Sequence, residues 1–452
     1  MQTDQTASRK PALFSLDNIK SLAKGRLPGQ VVIQYTDKCN ASCVQCGMRQ
    51  SNKYPRTTLN VDDTKRILDA MVERGVQAVS FTGGEPLLCL SEISECIRHA
   101  RDIGIKYIRT GTNGFMFKGS HKADFEAKIH KIARNLAESG LYTFWVSVDS
   151  ANAEMHEKNR GLPGTIAGME KALPIFHEYG LYPSANLGIN RYLSGYDNPP
   201  PTGADFNSQA FYDHFRQGFR QFYGFVESLG FTVVNACYPM SLDEADAAEN
   251  AVYTATSEDD FIRFTPQEKL ALFKALFDTI PEFRHRLRIF TPRSSLMALI
   301  RHYEGNEAAS YPCRGGIDFF FIDSKDMNTY PCGYRGTENM GKFWDLDLNS
   351  IDKKAWCKQC DWECFRDPSE LAGSLLDMFQ QPLSLGKKLL TDRAYSKLWL
   401  EDMRYYRACQ YFNATLAPDM QKLAKFKPER FRILKSPNSA DISATPLTSV
   451  AP

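Results

Sequence analysis

The 452-residue chain has no long apolar run: no stretch approaches 18 consecutive apolar residues, so the sequence offers no membrane-spanning helix. Its opening, Met1-Gln2-Thr3-Asp4-Gln5-Thr6, lacks the charged and apolar regions of a secretory signal, and a cytoplasmic location is expected. Charge of either sign is not in excess. Lys and Arg number 55 against 53 Asp and Glu, a net charge of +2, which gives no field for nucleic acid. Histidine is scarce, with eight residues scattered along the chain. His121, His130, His156 and His177 read as ordinary surface or helix residues, and no Ser/His/Asp or paired-carboxylate constellation stands out. Without a secretory signal, the 12 cysteines are not expected to form a disulfide framework.

What is present fits a large globular protein. Hydrophobic residues make up 43% and charged residues 24%, enough for a sizeable core. The length favours one large domain with a smaller one attached. From residue 30, β-rich runs alternate with helical periodicity. Strands are predicted at Val31–Tyr35, Ala78–Thr82, Tyr107–Thr110, Phe144–Val148, Ser184–Ile189 and Phe231–Asn235. Helical spacing lies between them: Ile67, Leu68, Met71 and Val72, then Ile93, Cys96, Ile97 and Ala100, then segments near 124–139, 165–179 and 206–229. The last of these carries aromatics from Phe211 to Tyr223 at helical spacing, which predicts a sheet-covering helix with a buried face. Parallel strands need crossovers, so this order predicts an α/β fold with a parallel sheet.

The cysteines are clustered. Cys39, Cys43 and Cys46 share one short loop directly after the first strand. Random placement of the cysteines gives about 0.01 matches to this spacing anywhere in the chain. Three thiolates can hold three irons of a cubane and leave the fourth open, whereas most [4Fe-4S] clusters take four cysteines. A zinc site completed from elsewhere is the alternative. Farther on, Cys313 and Cys332 flank the run Phe319–Asp323, a hairpin pattern with a candidate ligand at each end. Cys357 and Cys360 then form a CxxC, with Cys364 four residues later. Cys89, Cys96, Cys237 and Cys409 stand alone and read as buried small apolar residues. Cys237, just past the sixth strand, is also a candidate hydrogen-atom donor.

The motifs at the strand ends carry a family resemblance. Thr82-Gly83-Gly84-Glu85-Pro86, Thr110-Gly111-Thr112-Asn113-Gly114, Ser147-Val148-Asp149-Ser150 and Asn186-Leu187-Gly188-Ile189-Asn190 all fall at carboxyl ends of predicted strands. In β/α barrels that face carries the active site. Together with the three-cysteine loop, these segments resemble the radical S-adenosylmethionine (SAM) superfamily over residues 30–240. The resemblance implies a partial (β/α)6 TIM-like barrel in which Cys39, Cys43 and Cys46 hold a [4Fe-4S] cluster. It implies SAM contacts at Gly83, Gly84, Glu85, Pro86, Thr112, Asn113, Ser147, Asp149, Asn186 and Gly188. The cluster would cleave SAM reductively, with electrons from a donor such as flavodoxin or ferredoxin, and the resulting radical would abstract hydrogen from a substrate. One position departs from the family: the residue before the third cysteine, usually aromatic, is Gln45.

The second cysteine group resembles the auxiliary-cluster domains of the same superfamily, of SPASM or twitch type. It lacks the full seven-cysteine pattern, and Met327 stands where that pattern has glycine. The expectation is one auxiliary [4Fe-4S] cluster on Cys313, Cys332, Cys357 and Cys360, with Cys364 spare or substituting, and zinc as the alternative. The expected organisation is a lead-in at 1–29, the barrel at 30–240, a helical connection at 241–312, the auxiliary domain at 313–372, a helical extension at 373–435 and a disordered tail at 436–452. The expected substrate is a small-molecule intermediate, because the 29 residues before the barrel are too few for a leader-binding domain. A peptide-modifying maturase remains the alternative, and a zinc-stabilised, non-catalytic binding protein a remote one.

Overall fold

The computed structural model describes residues 16–50, 56–195, 199–239, 251–253, 255–257, 259–306 and 310–428. The 436–452 tail and the first 15 residues of the lead-in lie outside the described residues. Within them the lead-in forms a short helix, α1 (Leu16–Ala23).

All six predicted strands are present: β1 (Gly29–Thr36), β2 (Val76–Gly83), β3 (Tyr107–Thr112), β4 (Thr143–Ser147), β5 (Ser184–Gly188) and β6 (Val233–Cys237). They pair in parallel in chain order, each to the next. Every residue of β1 is buried, as a central strand covered on both faces requires. The sixth strand runs two residues beyond its predicted end, so Cys237 is its last residue rather than the first of a loop.

Helices α2 (Val61–Glu73), α3 (Leu90–Asp102), α4 (Phe125–Ser139), α5 (Ala153–Arg160), α6 (Thr165–Glu178) and α7 (Ser208–Ser228) cover the outer face of the sheet. Local chemistry sets their starts. Asn60 caps α2 by accepting from the Asp63 N–H at 2.7 Å, and Asn207 caps α7 by accepting from Ala210 N–H at 2.8 Å. The face of α7 that carries Phe211, Phe215, Phe219, Phe222 and Tyr223 is buried, as its periodicity predicts.

The sheet extends beyond six strands. Among the described residues it has nine, in the order β7-β6-β5-β4-β3-β2-β1-β8-β9. The two-residue β7 (Arg288–Ile289) continues the parallel series after β6, between α8 (Pro266–Phe283) and α9 (Arg293–Tyr303). The predicted cysteine hairpin is present as β8 (Phe319–Ile322) and β9 (Thr329–Tyr330), paired antiparallel. Its first strand, β8, docks in parallel on β1, with Gln30 opposite Phe319 and Ile33 opposite Ile322. The pleat then divides its side chains. Phe320 and Ile322 join the main core, while Phe319 and Phe321 join Val32, Trp362 and Phe365 in a second one. Met327 in the hairpin turn takes a left-handed φ of 60°, a conformation that favours glycine. After the hairpin come α10 (Glu363–Gln380), α11 (Pro382–Thr391), α12 (Arg393–Ala408) and a short last α-helix, Met420–Leu423. Among the described residues no helix is long and apolar enough to cross a membrane.

Candidate active site

The loop from Cys39 to Cys46 leaves the carboxyl end of β1 and is gripped from three sides. At its root, buried Asp37 accepts from Gln34 Nε2 and from Ser324 Oγ, both at 2.6 Å. The end of α5 holds its middle: Ser42 N–H donates to the Arg160 carbonyl at 2.9 Å and Val44 N–H to the Asn159 carbonyl at 3.0 Å. These carbonyls belong to the unsatisfied set at a helix C-terminus, so the loop supplies the donors that end lacks. The third grip is the turn after β2. Gly84 N–H donates to the Thr36 carbonyl at 2.6 Å and Glu85 N–H to that of Lys38 at 2.8 Å. A Cβ on Gly83 would collide with the Thr36 carbonyl oxygen, and one on Gly84 with that of Lys38. The glycine pair therefore allows the turn to close on the chain that enters the cysteine loop.

Glu85 is fully buried. Its carboxylate accepts from Leu87 N–H at 3.0 Å and from Asn113 N–H at 2.6 Å. Burial pushes its pKa up to about 7, against the pull of those N–H groups. Asn113 is held in turn so that its Nδ2 donates to Asn40 Oδ1 at 2.9 Å and to Cys39 Sγ at 3.6 Å. The turns after β2 and β3 are thus tied to each other and to the first thiol. Pro86 starts a short buried turn, and Thr112 Oγ1 accepts from Gly114 N–H at 3.1 Å.

Asp149 forms a second knot. Its side chain is fully buried and takes a two-pronged ion pair from Arg160, with Nε at 2.6 Å and Nη2 at 2.9 Å. It also accepts from Gln45 Nε2 at 3.0 Å and Gly188 N–H at 3.3 Å. Gln45, where the family usually has an aromatic residue, therefore links the cysteine loop to β4. Burial alone would raise the Asp149 pKa, but the Arg160 charge and its hydrogen bonds leave it below the ordinary carboxylate range. His156 corrects its reading as a surface or plain helix residue. It is fully buried, its Nδ1 accepts from Asp149 N–H at 3.1 Å, and burial lowers its pKa to about 4.

The thiols, Glu85, Asn113, Asp149, Arg160 and Gln45 line one cavity of about 440 Å³ at the carboxyl ends of the strands. Cys39, Cys43, Cys46, Gly83 to Pro86, Thr112, Asn113, Ser147, Asp149, Asn186 and Gly188 are all on its wall. Burial pushes the Cys43 thiol up to about 12, with the Arg160 charge opposing. The deeper wall comes from residues that the motifs do not reveal: Arg109, Trp145, Tyr253, Trp362, Glu363 and Asp367. Cys237 lines this cavity and donates from Sγ to Asn186 Oδ1 at 3.3 Å, so it differs from Cys96 and Cys409, which are fully buried in cores.

The second cysteine group is built around an antiparallel bridge between Cys313 and Cys357, closed by Cys313 N–H to the Cys357 carbonyl at 2.8 Å. Burial raises the Cys313 thiol to about 11 and Cys332 to about 12, and raises Cys360 well above the ordinary value. Cys357 is a near neighbour of each of these three thiols, so the four share one neighbourhood. Cys364 lies elsewhere, at the start of α10 on the wall of the main cavity, with its Sγ 3.7 Å from Glu363 Oε1. Among the described residues no group of three or more Cys, His, Asp or Glu side chains is gathered to hold a single metal ion. Thiols that ligate a cubane each bind a different iron, unlike the four ligands that converge on one zinc.

Residues 33–191 match the Radical SAM superfamily. The chain is similar to the AdoMet-dependent heme synthase of Oleidesulfovibrio alaskensis, with 22% identity over 340 residues, 75% of this chain and 77% of that one. It is also similar to a probable GTP 3',8-cyclase of Methanopyrus kandleri, with 35% identity over 136 residues, 30% of this chain and 39% of that protein. Among solved structures, Streptococcus suis SuiB bound to its precursor peptide SuiA superposes with a TM-score of 0.48 at 17% identity, covering 74% of this chain and 67% of that chain.

Proposed function

The chain is a radical SAM enzyme, matching that superfamily over residues 33–191, and from that premise we propose that it acts on a small molecule held in the cavity below the Cys39–Cys46 loop. The observation that carries the proposal is the convergence of the three thiols and all the strand-end motifs on one cavity. Its volume falls in the range of small-molecule sites. Cys39, Cys43 and Cys46 would hold a [4Fe-4S] cluster, which would supply an open iron for SAM and the electron for its reductive cleavage.

The donor set fits that cluster. Three thiols on one loop leave one iron free, and Asn113 already donates to the first sulfur. The chain's own residues hold the geometry. The Asp149–Arg160 pair fixes the loop from β4, and the Glu85–Asn113 link aligns two strand-end turns. Such positioning matters because a carbon radical has little selectivity of its own. Anaerobic incubation of iron-reconstituted protein with SAM and dithionite tests the reading. The expected result is 5′-deoxyadenosine by mass spectrometry, and its absence at full iron occupancy would overturn it.

The same proposal assigns one auxiliary [4Fe-4S] cluster to Cys313, Cys332, Cys357 and Cys360, with Cys364 left on the cavity wall. The segment from Cys360 through Trp362 to Cys364 joins the two places, since Trp362 and Cys364 line the cavity. A fully protein-ligated cluster suits electron transfer from a substrate radical better than SAM binding. Iron content should be about eight per chain in the wild type and about four in a Cys357→Ala/Cys360→Ala variant. Equal iron in both proteins, or zinc in place of half the wild-type iron, would count against the assignment. A peptide substrate is the second reading, on no observation of this chain that favours it over the first.

A further inference from the structure

Arg109, on β3, lines the cavity and has no carboxylate partner among the described residues. Its Nη2 donates to Gln30 Oε1 at 2.5 Å, and its Nε is buried without a partner. Among the described residues Arg366 is also buried without an ion pair, donating from Nη1 to the Cys360 carbonyl with its Nη2 unpartnered, but it is not on the cavity wall; three other guanidinium groups meet a carboxylate. Arg160 pairs with Asp149, Arg284 with Asp402 and Arg314 with Asp318. Arg288 lies outside the cavity and donates to two carbonyls and to a threonine hydroxyl. Arginine cannot shed its proton in a protein, so Arg109 remains a cation in a desolvated place.

The acidic groups on the same wall are otherwise engaged. Glu363 accepts from Tyr238 N–H at 3.2 Å, and Asp367 accepts from Ser295 Oγ and from the Tyr238 hydroxyl. Burial pushes Asp367 up to about 8 and raises Glu363 as well. The charged neighbours of Arg109 are Cys364 and Tyr142, and burial raises both of those groups, leaving them neutral near pH 7. Among the described residues the cavity therefore presents one positive charge without a carboxylate partner, among the apolar and aromatic walls of Trp145, Phe290, Trp362 and Leu371.

Depth separates Arg109 from the SAM end. It precedes Asn113 by four residues on β3 and its continuation, which is on the order of 13 Å of extended strand. Asn113 touches Cys39, so the open iron of the proposed cluster and the SAM groups on it lie at the other end.

We propose that Arg109 binds an anionic carboxylate or phosphate group of the substrate, so that this enzyme acts on a small organic acid with an apolar or aromatic body. The inference rests on the proposed reading of the cavity as the reaction site. A planar guanidinium matches either oxyanion.

The test uses iron-reconstituted holoenzyme and three probes: 3-phenylpropionate, 2-phenylethyl phosphate and the neutral 3-phenylpropanol. Calorimetric titration of the wild type should show binding of one or both anions and at least about tenfold weaker binding of the alcohol. The carboxylate and phosphate arms distinguish the two acids. In Arg109→Met the preference for the anion should vanish. The thermal midpoint of that variant without probe should equal or exceed that of the wild type, because an uncompensated buried charge is gone. Arg109→Lys should keep a weakened preference. Three results would each overturn the proposal: no anion preference in the wild type, a lowered midpoint in Arg109→Met with anion binding unchanged, or SAM binding lost in parallel with the probes. Dithionite-driven 5′-deoxyadenosine formation by the wild type without probe reports separately on the radical SAM reading.

Discussion

Replacing Cys39, Cys43 and Cys46 together by alanine should reduce reductive SAM cleavage to background. No other thiol can stand in. Among the remaining cysteines, only Cys237 and Cys364 also line the cavity, and both sit on its deeper wall with Glu363 rather than on the loop. The loop itself should keep its path, because its anchors are main-chain bonds to Asn159 and Arg160 and the Asp37 network. Loss of activity would then reflect loss of ligands and not of fold. The expected signature is absence of 5′-deoxyadenosine with about four irons per chain retained in the second group. Continued formation of 5′-deoxyadenosine by the triple variant would show that the cluster is held elsewhere.

Asp149→Asn should be the most destabilising single change near the site, by roughly 3–5 kcal/mol. The substitution keeps the shape and removes the charge, which leaves Arg160 buried without its counter-ion. Gln45 and Gly188 lose a charged acceptor at the same time. The denaturant midpoint is the measurement, and an Asp149→Asn/Arg160→Met double variant should recover a substantial part of the loss. A double variant no better than the single would show that packing, not charge, dominates there. The pH dependence has a definite sign. The Asp149 carboxyl is depressed in the folded state, so its stabilisation is full above the ordinary carboxylate value near pH 4 and is lost as pH falls through the lower folded value.

The site was partly legible in the sequence because part of it is local. The three thiols, the Gly83–Pro86 turn and the Thr112–Asn113 turn are short segments whose spacing survives without knowledge of the fold. The role of Gln45 was not legible, since its partner Asp149 is 104 residues away. His156 shows the same limit. It occupies an unremarkable place in a polar helix, and only the approach of β4 turns it into a buried acceptor. Arg109 reads as one more charged residue in a strand until its surroundings, among the described residues, prove to hold no ion-pair partner.

Strand and helix order followed from periodicity alone, since burial on one side of each helix and on both faces of β1 imposes a pattern that neighbours in sequence must obey. The sequence also placed the cysteine loop after β1 and the remaining motifs at carboxyl ends, because parallel crossovers force that arrangement. Tertiary structure decided the rest. It joined β8 to β1 from Phe319 to Gln30, set Cys364 on the cavity wall apart from the auxiliary thiols, paired Asp149 with Arg160 and left Arg109 without a carboxylate among the described residues. The physical reason is common to all four. Edge pairing, ion pairing and its absence depend on which distant groups meet in three dimensions, and composition and spacing do not encode those distances.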